Sequence, residues 1–325
     1  MAVLVGIDEA GYGPQLGPLL ISATAWEVPD RLVAGDLDQV DLYRLLEPAV
    51  TDRPSPGQPD RLCLADSKKL YKAGGGLAAL EQGVLAALRV SGSSATAWHE
   101  VWETLAGRRG AHRQSLPWYD GYHLPLPLDA APARIADLAA TLAAALQRRE
   151  ARLVVLRSLA VFPREFNRLT RQHGSKGAAL TRLTLELLDQ VLERTGPQPT
   201  RVVCDKHGGR HRYAAALQTH FPEYLIEIHG EGRAESVYRW GGPQQRVEVR
   251  FQSGGERFLP AALASMTSKY LRELAMRAFN DFWCRHVPHL RATAGYPGDA
   301  KRFKADIAAM QTQLGIDDDL LWRIR

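Results

Sequence analysis

Val3-Leu-Val-Gly-Ile7-Asp8-Glu9-Ala-Gly11-Tyr-Gly13-Pro14 opens as an apolar run and closes as a glycine-proline turn. The run reads as a buried strand and the glycines and proline as the tight turn that ends it. Two adjacent carboxylates at such a junction project from a rigid edge. Hard oxygen ligands held this way suit Mg²⁺ or Mn²⁺, which keep waters and accept phosphate oxygens as further ligands. An acidic strand end facing solvent would account for Asp8 and Glu9 on their own. A second element shifts that balance.

Thr200-Arg-Val-Val-Cys-Asp205 is another short β-branched run that stops at a carboxylate, and Lys206-His-Gly-Gly-Arg-His-Arg212 follows it. With the two strands as neighbours in one sheet, Asp8 and Asp205 meet at the same edge. A carboxylate site rimmed by cations fits a nucleic-acid backbone, because basic residues offset phosphate charge while metals bind at the acids. Taken alone, the basic run is an ordinary solvated turn. The third element, Leu263 to Met276, is rich in helix formers and free of Gly and Pro. Ser265, Lys269, Arg272 and Glu273 fall at helical spacings that share one face, which presents a hydroxyl, two cations and a fourth carboxylate together. A surface pair of Lys269 with Glu273, worth a few tenths of a kcal/mol in this less favourable order, explains the pair but not the apolar opposite face.

These residues carry a resemblance. Asp8-Glu9-Ala-Gly-Tyr-Gly-Pro14 resembles the Asp-Glu-Ala/Val-Gly-Arg-Gly-Pro signature of the type 2 ribonucleases H, the ribonuclease HII and HIII group. Asp66-Ser-Lys-Lys-Leu70 is similar to that family's Asp-Ser-Lys-Lys-Leu. Asn167 with the helical stretch to Leu192 stands in order before the third acid. Ala264-Ser265 through Arg272-Glu273 resembles its Ala-Ser-Ile-x-Ala-Lys-Val-x-Arg-Asp helix, and Gly295-Tyr-Pro297 its late Gly-Tyr element. Tyr12 stands where the family has Arg, Glu273 where Asp is commoner, and Gly298 and Lys301 where it has Thr and His. The Tyr12 departure bears on ribonucleotide selectivity, although Gly11 and Gly13 remain for backbone readout.

The resemblance implies an α/β fold, a ribonuclease H-like mixed sheet flanked by helices, as a single domain over residues 1–325. Residues 72–150 are an inserted segment with no counterpart in the family, and 274–325 a C-terminal helical region. It implies hydrolysis of the RNA strand of an RNA/DNA hybrid, or of a ribonucleotide embedded in duplex DNA, with two Mg²⁺ or Mn²⁺ ions roughly 4 Å apart. Asp8, Glu9, Asp205 and Glu273 would then be the catalytic metal ligands. Gly11, Tyr12 and Gly13 would line the 2′-hydroxyl, Ser67, Lys68, Ser265, Lys269 and Arg272 would contact the phosphates or stand beside them, and Tyr296 would stack at the ribonucleotide. For Asp66 a helix N-cap is the expected role.

Composition is compatible with this. At 325 residues, 45% hydrophobic, the chain is large enough for a real core, and a net charge of +5 permits a nucleic-acid partner without requiring one. Cys63, Cys204 and Cys284 are few and widely spaced, which points to a reducing cytoplasm and away from structural zinc. No stretch is apolar enough for a bilayer, and Asp8 comes too early for a signal-peptide core. Strands are expected over Leu19–Val28, Ala151–Val161, Leu225–His229 and Arg246–Phe251, and amphipathic helices over Leu77–Leu88 and Ile135–Leu146. Between those helices, Trp98, Trp102, Arg108, Arg109, His112, Arg113, Trp118, Tyr119 and Tyr122 mix aromatics with cations. They suit either a nucleic-acid strand or, preferably, an insertion anchored to the body by its rings. Rival functions are a nuclease of this fold acting on structured or single-stranded DNA, and a binding module without catalysis. Gly74-Gly-Gly76 and Gly208-Gly209 are weak signals for a phosphotransferase.

Overall fold

The computed structural model describes residues 1–32, 40–54, 61–72 and 75–324, with nothing stated of the side chains of 108–112 and 256. Gly74, most of the Pro54–Pro59 loop, and the side chains of Arg108, Arg109 and His112 therefore lie outside the described residues. The strands are β1 (Ala2–Ala10), β2 (Leu19–Val28), β3 (Val50–Thr51), β4 (Leu62–Cys63), β5 (Arg152–Val161), β6 (Thr200–Asp205), β7 (Glu227–Glu231), β8 (Glu235–Trp240) and β9 (Val247–Gln252). The helices are α1 (Leu42–Leu45), α2 (Ser67–Leu70), α3 (Ala78–Val90), α4 (Trp98–Gly110), α5 (Pro132–Arg149), α6 (Pro163–His173), α7 (Lys176–Thr195), α8 (Ala214–His220), α9 (Leu259–His286), α10 (Pro297–Gln313) and α11 (Asp318–Leu321).

Seven strands form one mixed sheet in the order β5-β2-β1-β6-β9-β8-β7, and β3 pairs with β4 apart from it. The hairpin of β1 and β2 is antiparallel, whereas β6 lies parallel to β1 with Ile7 opposite Cys204. Alternation along β1 sorts its side chains between two cores. Val3, Val5 and Ile7 join Val202 and Cys204 under α6, α7 and α8, while Ala2 and Leu4 face α9 and the helices α3 to α5. Gly6 lies between Val5 and Ile7, where α9 begins its crossing. A Cβ there would sit 1.9 Å from the Ala261 nitrogen, so only glycine admits the helix at this depth.

Hydroxyls fix the rotation of α9 over the sheet. Thr24 donates to the Pro260 carbonyl (2.8 Å), and Ser268 lies within hydrogen-bond distance of both the Asp8 carbonyl (3.0 Å) and Ser22 (2.8 Å). Ser22 in turn meets Ser158 across β2 and β5 at 2.7 Å. These groups are buried, so each would be costly left unpaired, and together they admit a single placement of α9.

The segment 72–150 folds onto the body through its rings. Trp98, Trp102, Trp118 and Tyr119 are buried, Trp102 stacks on Phe162, and Trp118 meets Phe279 edge-on at 5.2 Å. Their apolar atoms belong to the same core as Leu4, Leu263 and Phe303. The nucleic-acid stacking considered for these rings has no exposed surface to use. Glu81, fully buried in α3, is satisfied by the amides of Leu128, Asp129 and Ala130 at 2.5, 2.8 and 2.8 Å and by the Tyr270 hydroxyl. A buried carboxylate persists on such terms, and here it ties the 72–150 segment to α9.

β8 adds to the predicted strands; Ser236, Tyr238 and Trp240 face inward along it. The remaining predicted strands appear with ends displaced by at most two residues. Among the described residues no helix is long and apolar enough to cross a membrane.

Candidate active site at the strand ends

The parallel register of β1 and β6 places Asp8 beside Asp205. Ile7 and Cys204 face the α7 side, so the next residue of each strand faces α9. Asp8 accepts a hydrogen bond from Ser265 of α9, and the Ser265 hydroxyl also meets Ser67 at 3.0 Å. Asp66 caps α2 through the Lys68 amide (3.0 Å), the structural role expected of it. This cap holds Ser67 against α9 and brings Lys68 within the field of Asp8 and Glu9.

Asp8 and Glu9 are half-buried in this recess. Loss of water is the main reason the Asp8 carboxyl is pushed up to about 7; the Ser265 bond opposes the shift, the Asp205 charge adds to it, and Lys68 lowers it. Glu9 is raised well above its ordinary value by the same desolvation and by the charges of Asp8 and Asp205. Three carboxylates thus crowd one strand edge, and the Lys68 charge offsets the repulsion among them only in part.

Glu273 stands differently. One of its oxygens pairs with Lys269 and the other accepts from the Tyr71 hydroxyl at 2.8 Å. The Lys269 ammonium also lies 4.5 Å from the centre of the Tyr71 ring. Burial and the Glu273 bond push the Tyr71 phenol up. α9 thus delivers Ser265 to Asp8 while holding its own acid in a separate paired cluster.

The glycine turn is held from beneath. Gly11 has φ +94°, and a Cβ there would lie 2.6 Å from the Pro18 carbonyl oxygen. Arg272 donates to the carbonyls of Pro18, Leu16 and Ala294 at 3.0, 3.3 and 3.0 Å and is 4% exposed. It is therefore turned into the body, and the phosphate contact expected of it has no exposed group to make it: the buried guanidinium shapes the turn instead. Tyr12 lies against Gly208 and Gly177, with the Lys176 ammonium 5.2 Å from its ring centre. Tyr296 is 57% exposed and edges Gly13.

The basic run after Asp205 is only partly the solvated rim its sequence suggests. His207 is buried between Thr181 (3.0 Å) and Thr184 (3.3 Å), and burial pushes its imidazole down to about 3. Lys206 bonds the Gly232 carbonyl and Ser236. Lys206 and the neutral His207 imidazole organise the loop rather than face a substrate.

No family model matches the chain, and no curated protein matches it. Solved structures similar to it are ribonucleases H. Ribonuclease HII of Archaeoglobus fulgidus, solved in complex with PCNA, aligns over 99% of this chain and 94% of its own at 13% identity and TM-score 0.42. Ribonuclease H2 of Pyrococcus horikoshii aligns over 98% and 92% at 14% identity and TM-score 0.42. Bst-RNase HIII, solved with Mn²⁺, aligns over 99% and 66% at 13% identity and TM-score 0.40.

Hard carboxylate oxygens, desolvated and mutually repelling, are the donor set a divalent cation fits. As the side chains stand, no group of three or more Asp, Glu, His or Cys among the described residues is arranged to hold a metal. The fit is thus one of donor chemistry. Sequence reasoning missed two supports. Tyr71 directly follows the Asp66–Leu70 motif, and that adjacency was its only available signal. Arg323, near the C-terminus, donates to the Pro14 carbonyl and lies over Phe166, while its amide bonds the Gln15 carbonyl and Trp322 bridges to Leu16. Nothing local in the sequence marks it.

Proposed function

We propose that this chain is a metal-dependent endonuclease of the type 2 ribonuclease H kind, cutting the RNA strand of RNA/DNA hybrids or ribonucleotides embedded in duplex DNA. The observation that carries the reading is the parallel pairing of β1 with β6, which sets Asp8 and Asp205 side by side next to Glu9 in one recess, where burial and mutual repulsion push the Asp8 and Glu9 carboxyl groups up. Asp8, Glu9 and Asp205 would hold Mg²⁺ or Mn²⁺, with Glu273 as the fourth ligand of a two-ion site. A divalent ion bound there supplies Lewis-acid stabilisation of phosphoryl oxygens and lowers the pKa of a coordinated water.

The remaining roles belong to the chain itself. Ser265 orients Asp8 and is in turn held by Ser67. Lys68 is exposed at the mouth of the recess and presents its charge to a phosphate there. Lys269 would do the same on leaving Glu273. Gly11 and Gly13, held by Arg272 and Arg323 from beneath, offer backbone groups to a ribose 2′-hydroxyl, and the exposed Tyr296 ring offers a stacking face beside them. The three cysteines are free thiols, in keeping with a cytoplasmic protein.

Tyr12 favours a second reading, a nuclease of this fold acting on an all-DNA substrate, because its ring occupies the turn where the resemblance places Arg. One experiment separates the two: cleavage of a labelled duplex carrying a single ribonucleotide, beside an RNA/DNA hybrid and an all-DNA duplex, with Mg²⁺ or Mn²⁺ and with Asp8→Asn. Ribonucleotide-dependent cutting that is lost in Asp8→Asn is the expected result. Equal cutting of the all-DNA duplex would move the assignment to the second reading, and no cutting of any substrate under either metal would remove both.

A further inference from the structure

A cleft of about 750 Å³ opens between α6, α7 and α8, on the opposite face of the sheet from α9. Arg168 and His173 line it from α6, Arg182 and Glu186 from α7, and Arg210 from the loop after β6. Among the described lining residues Glu186 is the one carboxylate, with Asp189 and Glu223 nearby at His220. The three guanidinium groups bond neutral acceptors: Arg168 the Gln172 side-chain oxygen (3.1 Å), Arg182 the His220 Nδ1 (2.5 Å), and Arg210 the Thr181 hydroxyl (2.8 Å). Their charges are therefore oriented without being cancelled by these bonds. Burial and the neighbouring Arg182 hold His220 below its ordinary pKa, consistent with its imidazole nitrogen accepting from the arginine.

The cleft adjoins the candidate active site. Ala178 lines it, next to Gly177, and Arg210 lies two residues beyond Gly208. Gly177 and Gly208 are the residues against the Tyr12 hydroxyl, 3.6 and 3.1 Å from where their Cβ atoms would be. A strand leaving the recess past Tyr12 and Lys176 thus arrives at this basic surface.

On the reading that the substrate is a nucleic-acid duplex, we propose that the α6–α7–α8 cleft binds its phosphodiester backbone away from the cleavage point, through Arg168, Arg182 and Arg210. The guanidinium groups are spread over two helices and a loop along an open-sided groove. That spacing suits consecutive phosphates of a polymer, whereas a small anion is best held by donors that converge on one point. Base-independent contacts of this kind set register and affinity and leave the chemical step alone.

Arg168 and Arg182 are exposed on their helices, so the Arg168→Gln/Arg182→Gln double variant should fold; Arg210 is left in place because it braces the loop of Asp205. Affinity for a labelled RNA/DNA hybrid is measured against salt in an Asp8→Asn background, and cleavage in the active background. The double variant should bind about tenfold more weakly at moderate salt, and the slope of log K against log salt should shrink by about 2, since each lost phosphate contact removes about 0.9. Its kcat should match the parent, and Arg168→Lys/Arg182→Lys should restore most of the affinity. A hybrid too short to reach Arg168 and Arg182 should not distinguish the variants.

An unchanged affinity and slope in a protein that still cuts the hybrid would overturn this inference and leave the functional reading standing. Equal weakening by Arg285→Gln/Arg291→Gln, exposed cations elsewhere, would overturn it too, since net charge alone would then explain the effect. A parent protein that neither binds nor cuts nucleic acid would remove the functional reading and this inference with it.

Discussion

At the strand ends, Asp8, Glu9 and Asp205 share a recess short of water, and Asp8 and Glu9 have their carboxyl groups driven upward. On α9, Glu273 has both oxygens satisfied by Lys269 and Tyr71. All four are acids to which the resemblance would give one job, yet their electrostatic conditions are opposite. The strand-end cluster is unfavourable until a cation arrives, so a metal should bind there first. Glu273 must give up part of a paired arrangement before it can serve as a ligand. Strand register imposes the first condition, because neighbouring parallel strands bring their last residues together whatever their charge. Helical spacing imposes the second, since an i,i+4 lysine always lies within reach.

The sharpest way to break this contrast is to compare turnover. Asp8→Asn or Asp205→Asn should reduce cleavage by at least roughly 10³-fold, because several kcal/mol of charge stabilisation at about 1.4 kcal/mol per decade is lost. Glu273→Gln should cost less, roughly 10–100-fold, the scale of a supporting ligand shell. Single-turnover rates across a metal titration would reveal it, and equal losses at Asp8 and Glu273 would abolish the distinction.

Stability without metal should then differ in sign. With its pKa about 7 in the fold against an ordinary 3.8, Asp8 binds its proton more tightly folded than unfolded, so stability is lost as pH rises through that window. Asp8→Asn should therefore stabilise the metal-free protein at pH 8 by on the order of 2 kcal/mol, with no gain at pH 4. Denaturant unfolding in chelator at the two pH values measures this. Glu273→Gln should instead destabilise, by about 0.5–1 kcal/mol, as its ion pair and hydrogen bond are weakened. The smallest effect is expected for Tyr71→Phe, about 0.5 kcal/mol of stability from one hydrogen bond. The same denaturant curves would show it, and the metal-free pH dependence assigned to Asp8 should persist in this variant.

Much of this architecture was legible in the chain. β2 runs over the residues its apolar pattern marks, Asp66 caps α2, and the two carboxylate-ended strands lie side by side. These features follow from short-range rules: alternation, turn residues, and a side chain reaching the amide two residues on. Arg272 shows where such rules stop. Helical spacing puts it with Lys269 and Glu273, but the carbonyls that receive it come from Leu16 and Pro18, far along the chain, and from Ala294 in the segment after α9. The same holds for His207, whose threonine partners lie on α7, and for β8, too sparsely apolar to stand out before Tyr238 and Trp240 find their core.

Periodicity and turn chemistry, which act over a few residues, were enough to mark most of the strands, the helix-forming stretch of α9 and the acids that end β1 and β6, while the mixed sheet joining them came from the family resemblance. Which acids would crowd one recess, which cations would turn inward, and that a C-terminal arginine would hold the glycine turn all depended on packing between segments hundreds of residues apart. Desolvation and pairing are properties of the space around a group, and that space exists only once α9 has settled over Gly6.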